Sequence, residues 1–87
     1  MTNHDLLLKL SDSPFQPFRI RLSNSSAIDV RDPGSVIVGD SSAVVPTSME
    51  IDSQGYKIAK DWKTIAIAHI VEFIDLRDDP AARRKKN

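Results

Sequence analysis

Apolar and polar side chains alternate regularly along residues 15–45, and this alternation constrains the fold more than any other feature of the chain. Every second residue of the segment Phe18–Leu22 is apolar, and the same spacing returns in residues 28–30. Successive side chains of a strand point to opposite faces of a sheet, so this spacing predicts antiparallel strands with one apolar and one polar face. The sequence therefore predicts a mainly β fold.

The size and residue content of the chain exclude several classes of protein. Its 87 residues suit one domain, which at this size buries only roughly 60% of the surface of its unfolded chain. Cysteine is absent, which excludes disulfide staples and predicts a reducing cytoplasm. No apolar run approaches the roughly 20 residues of a membrane span, and the polar amino terminus lacks the order of a signal peptide. We therefore expect a cytoplasmic protein without membrane contact.

Charge is distributed unevenly between the body of the chain and its end. Residues 1–79 carry eight lysines and arginines against twelve aspartates and glutamates, and they are assigned to a single β-rich domain. Residues 80–87 are predicted to form a disordered, flexible basic tail, because they contain too little apolar surface to fold. The tail carries four cationic side chains: Arg83, Arg84, Lys85 and Lys86.

A short helix is predicted ahead of the strands, over about residues 3–11. Thr2 and Asp5 have the spacing of a capping box, and Pro14 ends the helix. A helix this short is marginal in water, so its apolar side must dock on the sheet or on another chain. That side is formed by Leu6, Leu7 and Leu10.

The alternation and the turn residues together predict a meander of strands. The break at residues 39–42 fits either a bulge or a hairpin, and a hairpin turning at residues 53–55 is predicted within residues 46–60. A tight turn at residues 68–70 precedes the last strand. The strands are placed at residues 15–23, 27–31, 36–39 with a continuation at 43–45, 62–67 and 71–76.

The first hairpin has a register that the apolar pattern selects. A two-residue turn would place Ile28 on the polar face, whereas a three-residue loop keeps Leu22, Ile28 and Val30 on one face. We therefore predict the three-residue loop, with Asn24 or a serine in the left-handed region.

The last predicted strand is apolar on both faces. Val71 and Phe73 lie on one face, and Ile74 and Leu76 lie on the other. A sheet with one wet side does not have this pattern, so we expect both faces to be covered. The cover is either the helix or the same strand of a second copy.

The order of elements resembles that of SH3-like and Sm-like small β-barrels, in which a small helix precedes the strands and one tight turn precedes the last. The fold prediction is a small five-stranded antiparallel barrel or a strongly bent meander. Neither the strand glycine nor the loop Asp and Asn residues of the Sm-like proteins has a matching position here, so the resemblance implies no binding pocket.

Four segments resemble a widespread uncharacterised family of small bacterial proteins. They are residues 15–24, 28–33, 36–39 and 68–71. Members of this family read PF-x-PF-x-I-x-L-x-D-G, followed by a Val-rich strand and a closing H-I-V segment. The resemblance implies a shared fold and no activity. Asn24 and Ser25 stand where the family has its Asp-Gly turn.

Residues with catalytic or ligand-binding chemistry are sparse. His4 and His69 are the two histidines, and the carboxylates spaced near His69 fall on a predicted strand. Neither Ser41 nor Ser42 lies in a nucleophile elbow, and three glycines do not form a phosphate-binding loop. We therefore predict no enzyme activity, no metal and no cofactor.

Two clusters of residues suggest binding surfaces. Arginines on adjacent strands could form a basic outer stripe, in which Asp29 faces Arg19 or Arg21 across the strands. Trp62 could stack on bases within a ring of positive charge, or it could simply fill core space. The stripe consists of Arg19, Arg21 and Arg31, and the residues around Trp62 are Tyr56, Lys57, Lys60 and Lys63.

Two functions fit these surfaces. The first is a non-enzymatic interaction module that forms a homo-oligomer, or docks a protein partner, through an exposed strand edge or its last strand. The alternative is a nucleic-acid-binding module that uses the outer arginines and the basic tail, against which the acidic body argues. The candidate binding residues are Arg19, Arg21, Arg31, Trp62, Arg83, Arg84, Lys85 and Lys86.

Overall fold

The computed structural model describes residues 1–76 of the chain. The predicted basic tail, with Arg83, Arg84, Lys85 and Lys86, lies outside the described residues. The predicted end of the domain at residue 79 also lies outside them.

The described chain is mainly β, as predicted, with one short α-helix and six strands in two antiparallel sheets of three strands each. The first sheet has the order β2-β1-β6 and the second the order β3-β4-β5. Short 3₁₀ helices at Pro33–Ser35 and Ile67–His69 precede β3 and β6. The elements are α1 (Asn3–Leu10), β1 (Phe18–Leu22), β2 (Ala27–Val30), β3 (Ile37–Val38), β4 (Ser42–Ile51), β5 (Lys57–Ala66) and β6 (Ile70–Asp75).

Helix α1 begins with the predicted capping box and docks on the core. The Thr2 hydroxyl accepts a hydrogen bond from the Asp5 N–H, and the Thr2 N–H donates to the Asp5 carboxylate at 2.8 Å. Leu6 is fully buried and Leu10 packs against the core. The prediction that Leu7 belongs to the docking side was wrong, since Leu7 is 48% exposed. The short helix contacts the core only along the row of residues four positions apart, which contains Leu6 and Leu10 and not Leu7.

Strand β1 is the central strand of the first sheet, and its register with β2 confirms the three-residue loop. Ile20 lies opposite Ile28, and the Leu22 N–H donates to the Ser26 carbonyl at 2.9 Å. Residues 23–25 therefore form the loop, with Ser25 in the left-handed region at φ 72°. The apolar residues of both strands face the core together.

The second sheet contains two hairpins. The break at residues 39–42 is a hairpin, in which Val38 pairs with Ala43 and the Gly39 N–H donates to the Ser42 carbonyl. The next hairpin turns at residues 53–55 as predicted, with Gly55 at φ 87°. Strand β5 begins at Lys57, five residues earlier than the predicted strand at Trp62.

The β4–β5 hairpin changes register twice, between Pro46 and Met49. Such bulges increase the local twist of a ribbon and bend it. Residues near the base of the hairpin, including Val45 and Ile65, are buried in the core, whereas residues 57–61 are all exposed. We call residues 47–61 the arm.

Strand β6 pairs with β1 along the sheet edge and contains a register shift opposite Arg21 and Leu22. The shift separates Val71 from the face of Phe73, so the prediction that they share a face was wrong. Phe73 packs against the core, while Val71 is 46% exposed and Ile74 is also exposed.

The core lies between α1 and the inner faces of the two sheets. No strand pairing among residues 1–76 joins one sheet to the other, and no closed barrel is found in this part of the chain. The buried residues are Leu6, Phe18, Ile20, Leu22, Ile28, Val30, Ala43, Val45, Ile65, Ile67 and Ile70.

Replacing Ser25 by glycine should stabilise the protein. A non-glycine residue at φ 72° is strained, and glycine removes that strain, so we expect Ser25→Gly to raise the free energy of unfolding by about 0.5–1 kcal/mol. Urea unfolding followed by circular dichroism measures the change. Ser26→Gly, at a neighbouring position without positive φ, is the matched control and should not stabilise the protein. An equal gain in both variants would contradict the loop geometry.

Candidate functional site

The predicted arginine stripe is present on the outer face of the first sheet, but each arginine contacts a carboxylate. Arg19 Nε donates to Asp29 Oδ1 at 2.7 Å, and Arg21 Nε donates to Glu72 Oε1 at 2.7 Å. Arg31 Nη2 lies 3.6 Å from Asp29 Oδ2. The stripe is therefore a ladder of ion pairs, in which the positive charge of the arginines is offset within the sheet.

The ion pairs lower the pKa of Asp29, the carboxylate that Arg19 and Arg31 share. The hydrogen bond from Arg19 lowers the pKa of Asp29, and the charges of Arg19 and Arg31 lower this pKa further. Because the arginine side chains are largely exposed, solvent screens these pairs and each contributes little to stability.

Trp62 is 59% exposed and lies on the outer face of the second sheet, opposite Pro46 on β4. The structure does not bring it together with all the lysines predicted around it. Lys63 is the next residue of the strand and lies opposite the buried Val45, on the other face. Lys57 is at the far end of the arm, where it pairs with Ile51. Trp62 is thus neither a core residue nor the centre of a lysine ring.

Uncharged residues adjoin Trp62 on the side of the sheet toward β3, whereas Lys60, two residues before Trp62 on β5, lies near Glu50. Ile37 lies opposite Val44, Val44 lies opposite Thr64, and Pro46 lies opposite Trp62, so these residues share one outer face. Ile37 is 67% exposed. We call this surface the tryptophan face; it consists of Ile37, Val44, Pro46, Trp62 and Thr64. The tryptophan face was not predictable from the sequence, because the pairing of β3 with β4 depends on the hairpin at residues 39–42, and the sequence there fits either a bulge or a hairpin.

A groove of about 920 Å³ separates strand β2 from the bent arm. It lies where the two sheets part. Its walls combine apolar side chains with both signs of charge. The residues that line it include Ala27, Asp29, Val36, Met49, Ile51 and Lys63.

An ion pair joins the far end of the arm to the segment after β2, at one end of the groove. Lys57 Nζ lies 2.6 Å from Asp32 Oδ2. Asp32 also caps the 3₁₀ helix Pro33–Ser35, since it accepts hydrogen bonds from the Gly34 N–H and the Ser35 hydroxyl. The hydrogen bond from Lys57, followed by that from Ser35, lowers the pKa of Asp32.

The two histidines do not form a ligand cluster. The described residues contain no group of three or more His, Cys, Asp or Glu side chains that could hold a metal ion. The backbone carbonyl of His69 accepts a hydrogen bond from the Ser23 N–H at 2.8 Å, which ties the turn before β6 to the first hairpin. Within residues 1–76, the helices are too short or too polar for a membrane span.

Comparison of the chain with protein-family models, with curated protein sequences and with solved structures finds no match in any of the three.

Substituting Lys57 should raise the pKa of Asp32. The contact with Lys57 stabilises the folded protein at pH values above the ordinary carboxyl pKa of about 4. This stabilisation is lost as the pH falls through the lower pKa that Asp32 has in the folded protein. In Lys57→Gln the main cause of the shift is absent, so Asp32 should titrate closer to its ordinary value. A ¹³C NMR titration of the Asp32 carboxyl measures this change. Lys60→Gln, on a lysine near Glu50 instead, is the control; an unchanged Asp32 pKa in Lys57→Gln would contradict the contact.

Proposed function

We propose that this protein is a non-enzymatic interaction module of the cytoplasm that self-associates through the tryptophan face. The observation that carries the proposal is the exposure of Trp62 and Ile37 among uncharged residues of one outer sheet face. Tryptophan is enriched among the residues that dominate binding energies at protein interfaces. Contiguous exposed apolar surface on a small protein is typical of an interaction site.

A second copy is the partner that this face fits best. A two-fold interface brings the same patch of both subunits together, so it must be compatible with itself. None of the five residues of the tryptophan face is charged, and two such faces therefore meet without like charges in contact. Two outer sheet faces can pack at about 10 Å, as in a β-sandwich.

The strand order supports the finer fold proposal of an SH3-like or Sm-like module. Strands β2 and β3 are separated by the short 3₁₀ helix Pro33–Ser35, and they can be counted as one broken strand. Residues 1–76 then form five strands in a meander, with β6 returning to pair with β1. We propose that the same order underlies the resemblance to the small bacterial family with the PF-x-PF motif.

Nucleic-acid binding is the alternative that the ion pairs disfavour. A phosphate backbone must compete with Asp29 and Glu72 for the arginines of the stripe. Binding through the basic tail alone would be weak and sensitive to salt.

Truncating Trp62 should disrupt self-association. We expect the full chain to show a light-scattering mass approaching twice 9.7 kDa at high concentration, and Trp62→Ala to weaken the dimer by about 30-fold or more. The fold should survive, because Trp62 contributes nothing to the buried core. Leu8→Ala, on an exposed leucine of α1, is the matched control and should leave the mass unchanged.

Three outcomes would contradict the proposal. The first is a monomer at every concentration, and the second is a dimer that Trp62→Ala leaves unchanged. The third is assembly only after mixed-sequence single-stranded RNA is added at low salt, with loss of that assembly in a triple substitution of Arg19, Arg21 and Arg31. That third result would favour the nucleic-acid function.

A further inference from the structure

We propose that the groove binds an extended apolar peptide, which adds as an antiparallel strand to the free edge of β2 and places a carboxylate at its C-terminal end beside Lys63. The site is separate from the tryptophan face and does not depend on self-association. Three features of the described residues support it: a free strand edge, an apolar opposite wall and a lysine without an ion-pair partner.

The free edge belongs to β2. Within residues 1–76 this strand pairs with β1 alone, through the pair of Ile20 and Ile28 among others. The hydrogen bond from the Leu22 N–H to the Ser26 carbonyl shows that these two residues form a hydrogen-bonded pair. Hydrogen-bonded and non-hydrogen-bonded pairs alternate along an antiparallel ladder, so Ala27 and Asp29 belong to non-hydrogen-bonded pairs. The backbone N–H and C=O groups of Ala27 and Asp29 consequently point away from β1. Both residues line the groove.

The opposite wall supplies apolar contacts for an added strand. Val36, Met49 and Ile51 line the groove, and Ile51 is 71% exposed. Main-chain hydrogen bonds to a sheet edge provide affinity in strand addition, and the surfaces that meet alternate side chains provide specificity. A peptide with an apolar residue at every second position would cover this wall.

Charge complementarity selects a carboxylate. Of the basic residues that line the groove, Arg19 and Arg31 contact Asp29, and Lys57 contacts Asp32. Lys63 makes no ion pair with the described part of the chain, although it lies opposite the buried Val45 on the inner face of its sheet. A carboxylate in the groove would provide Lys63 with an ion-pair partner that residues 1–76 do not supply.

The position of Lys63 also sets the direction of the peptide. Lys63 lines a second, smaller pocket of about 280 Å³ together with Leu22, Asn24 and Ser26, so it lies at the end of the groove where β2 begins. Asp32 and Lys57 mark the end where β2 leaves the sheet. A peptide antiparallel to β2 runs from the Lys57 end to the Lys63 end. Its terminal carboxylate, or an acidic side chain in that position, therefore meets Lys63.

Binding can be measured by NMR on the full chain with a defined probe. The probe is an N-acetylated hexapeptide of alternating valine and threonine with a free terminal carboxylate, which spans about 20 Å when extended. We expect amide shifts centred on Ala27 and Asp29. The same peptide with an amide terminus should bind more weakly.

Substitution of Lys63 separates recognition from folding. Lys63→Gln should weaken binding of the free-acid probe about fivefold, down to the affinity of the amidated probe. Lys60→Gln is the control, since Lys60 lies near Glu50 and does not line the groove. Added salt should weaken the free-acid probe and leave the amidated probe unchanged.

Substitution of Ala27 tests the strand pairing. Ala27→Pro removes an edge N–H and should abolish binding of both probes, while Ala27→Thr keeps the N–H and should retain it. Equal affinities for the two probes in the unsubstituted protein, or shifts centred on Ile37 and Trp62, would overturn the proposal. The Lys63→Gln result decides the carboxylate contact even if Ala27→Pro fails to fold.

Discussion

Phe18, which is buried at the start of β1, is the residue that α1, the segment before β1 and strand β6 all contact. Its ring lies 5.3 Å from that of Phe73 on β6 and 6.0 Å from that of Phe15 in the segment before β1. Lys9 of α1 lies over the same ring and also pairs with Asp75 at 2.5 Å. The helix, the central strand and the last strand are therefore held together at one place. Replacing Phe18 by alanine would remove these contacts at once.

A core concentrated around β1 leaves other parts of the chain without cover. The arm beyond Pro46 and the outer face of β3-β4-β5 contact little of the core, and a two-stranded ribbon is marginally stable by itself. The bulges of the hairpin bend the arm, and the Lys57–Asp32 ion pair links its far end to the 3₁₀ helix at one end of the groove. The tryptophan face and the groove both expose apolar side chains of the described residues.

Local patterns were predictable from the sequence, whereas contacts between distant segments were not. The alternation around Ile20 and Ile28 admitted one register, and Thr2 signalled the helix start, because each signal lies within a few residues. The pairing of Arg21 with Glu72 joins residues 51 positions apart, so no local pattern indicates that the stripe is neutralised. The bulges in the β4–β5 hairpin and in β6 shifted side chains between faces, as at Val71, and a period of two cannot anticipate them.

The wavelength of the Trp62 fluorescence maximum, measured as the protein is diluted, is the most direct test of self-association through the tryptophan face. The chain contains one tryptophan, so its fluorescence reports on this face alone. If two copies meet there, the emission maximum should lie at short wavelength at high concentration and move to longer wavelength through one transition on dilution. A maximum that remains at the long wavelength of an exposed indole at every concentration would contradict the account.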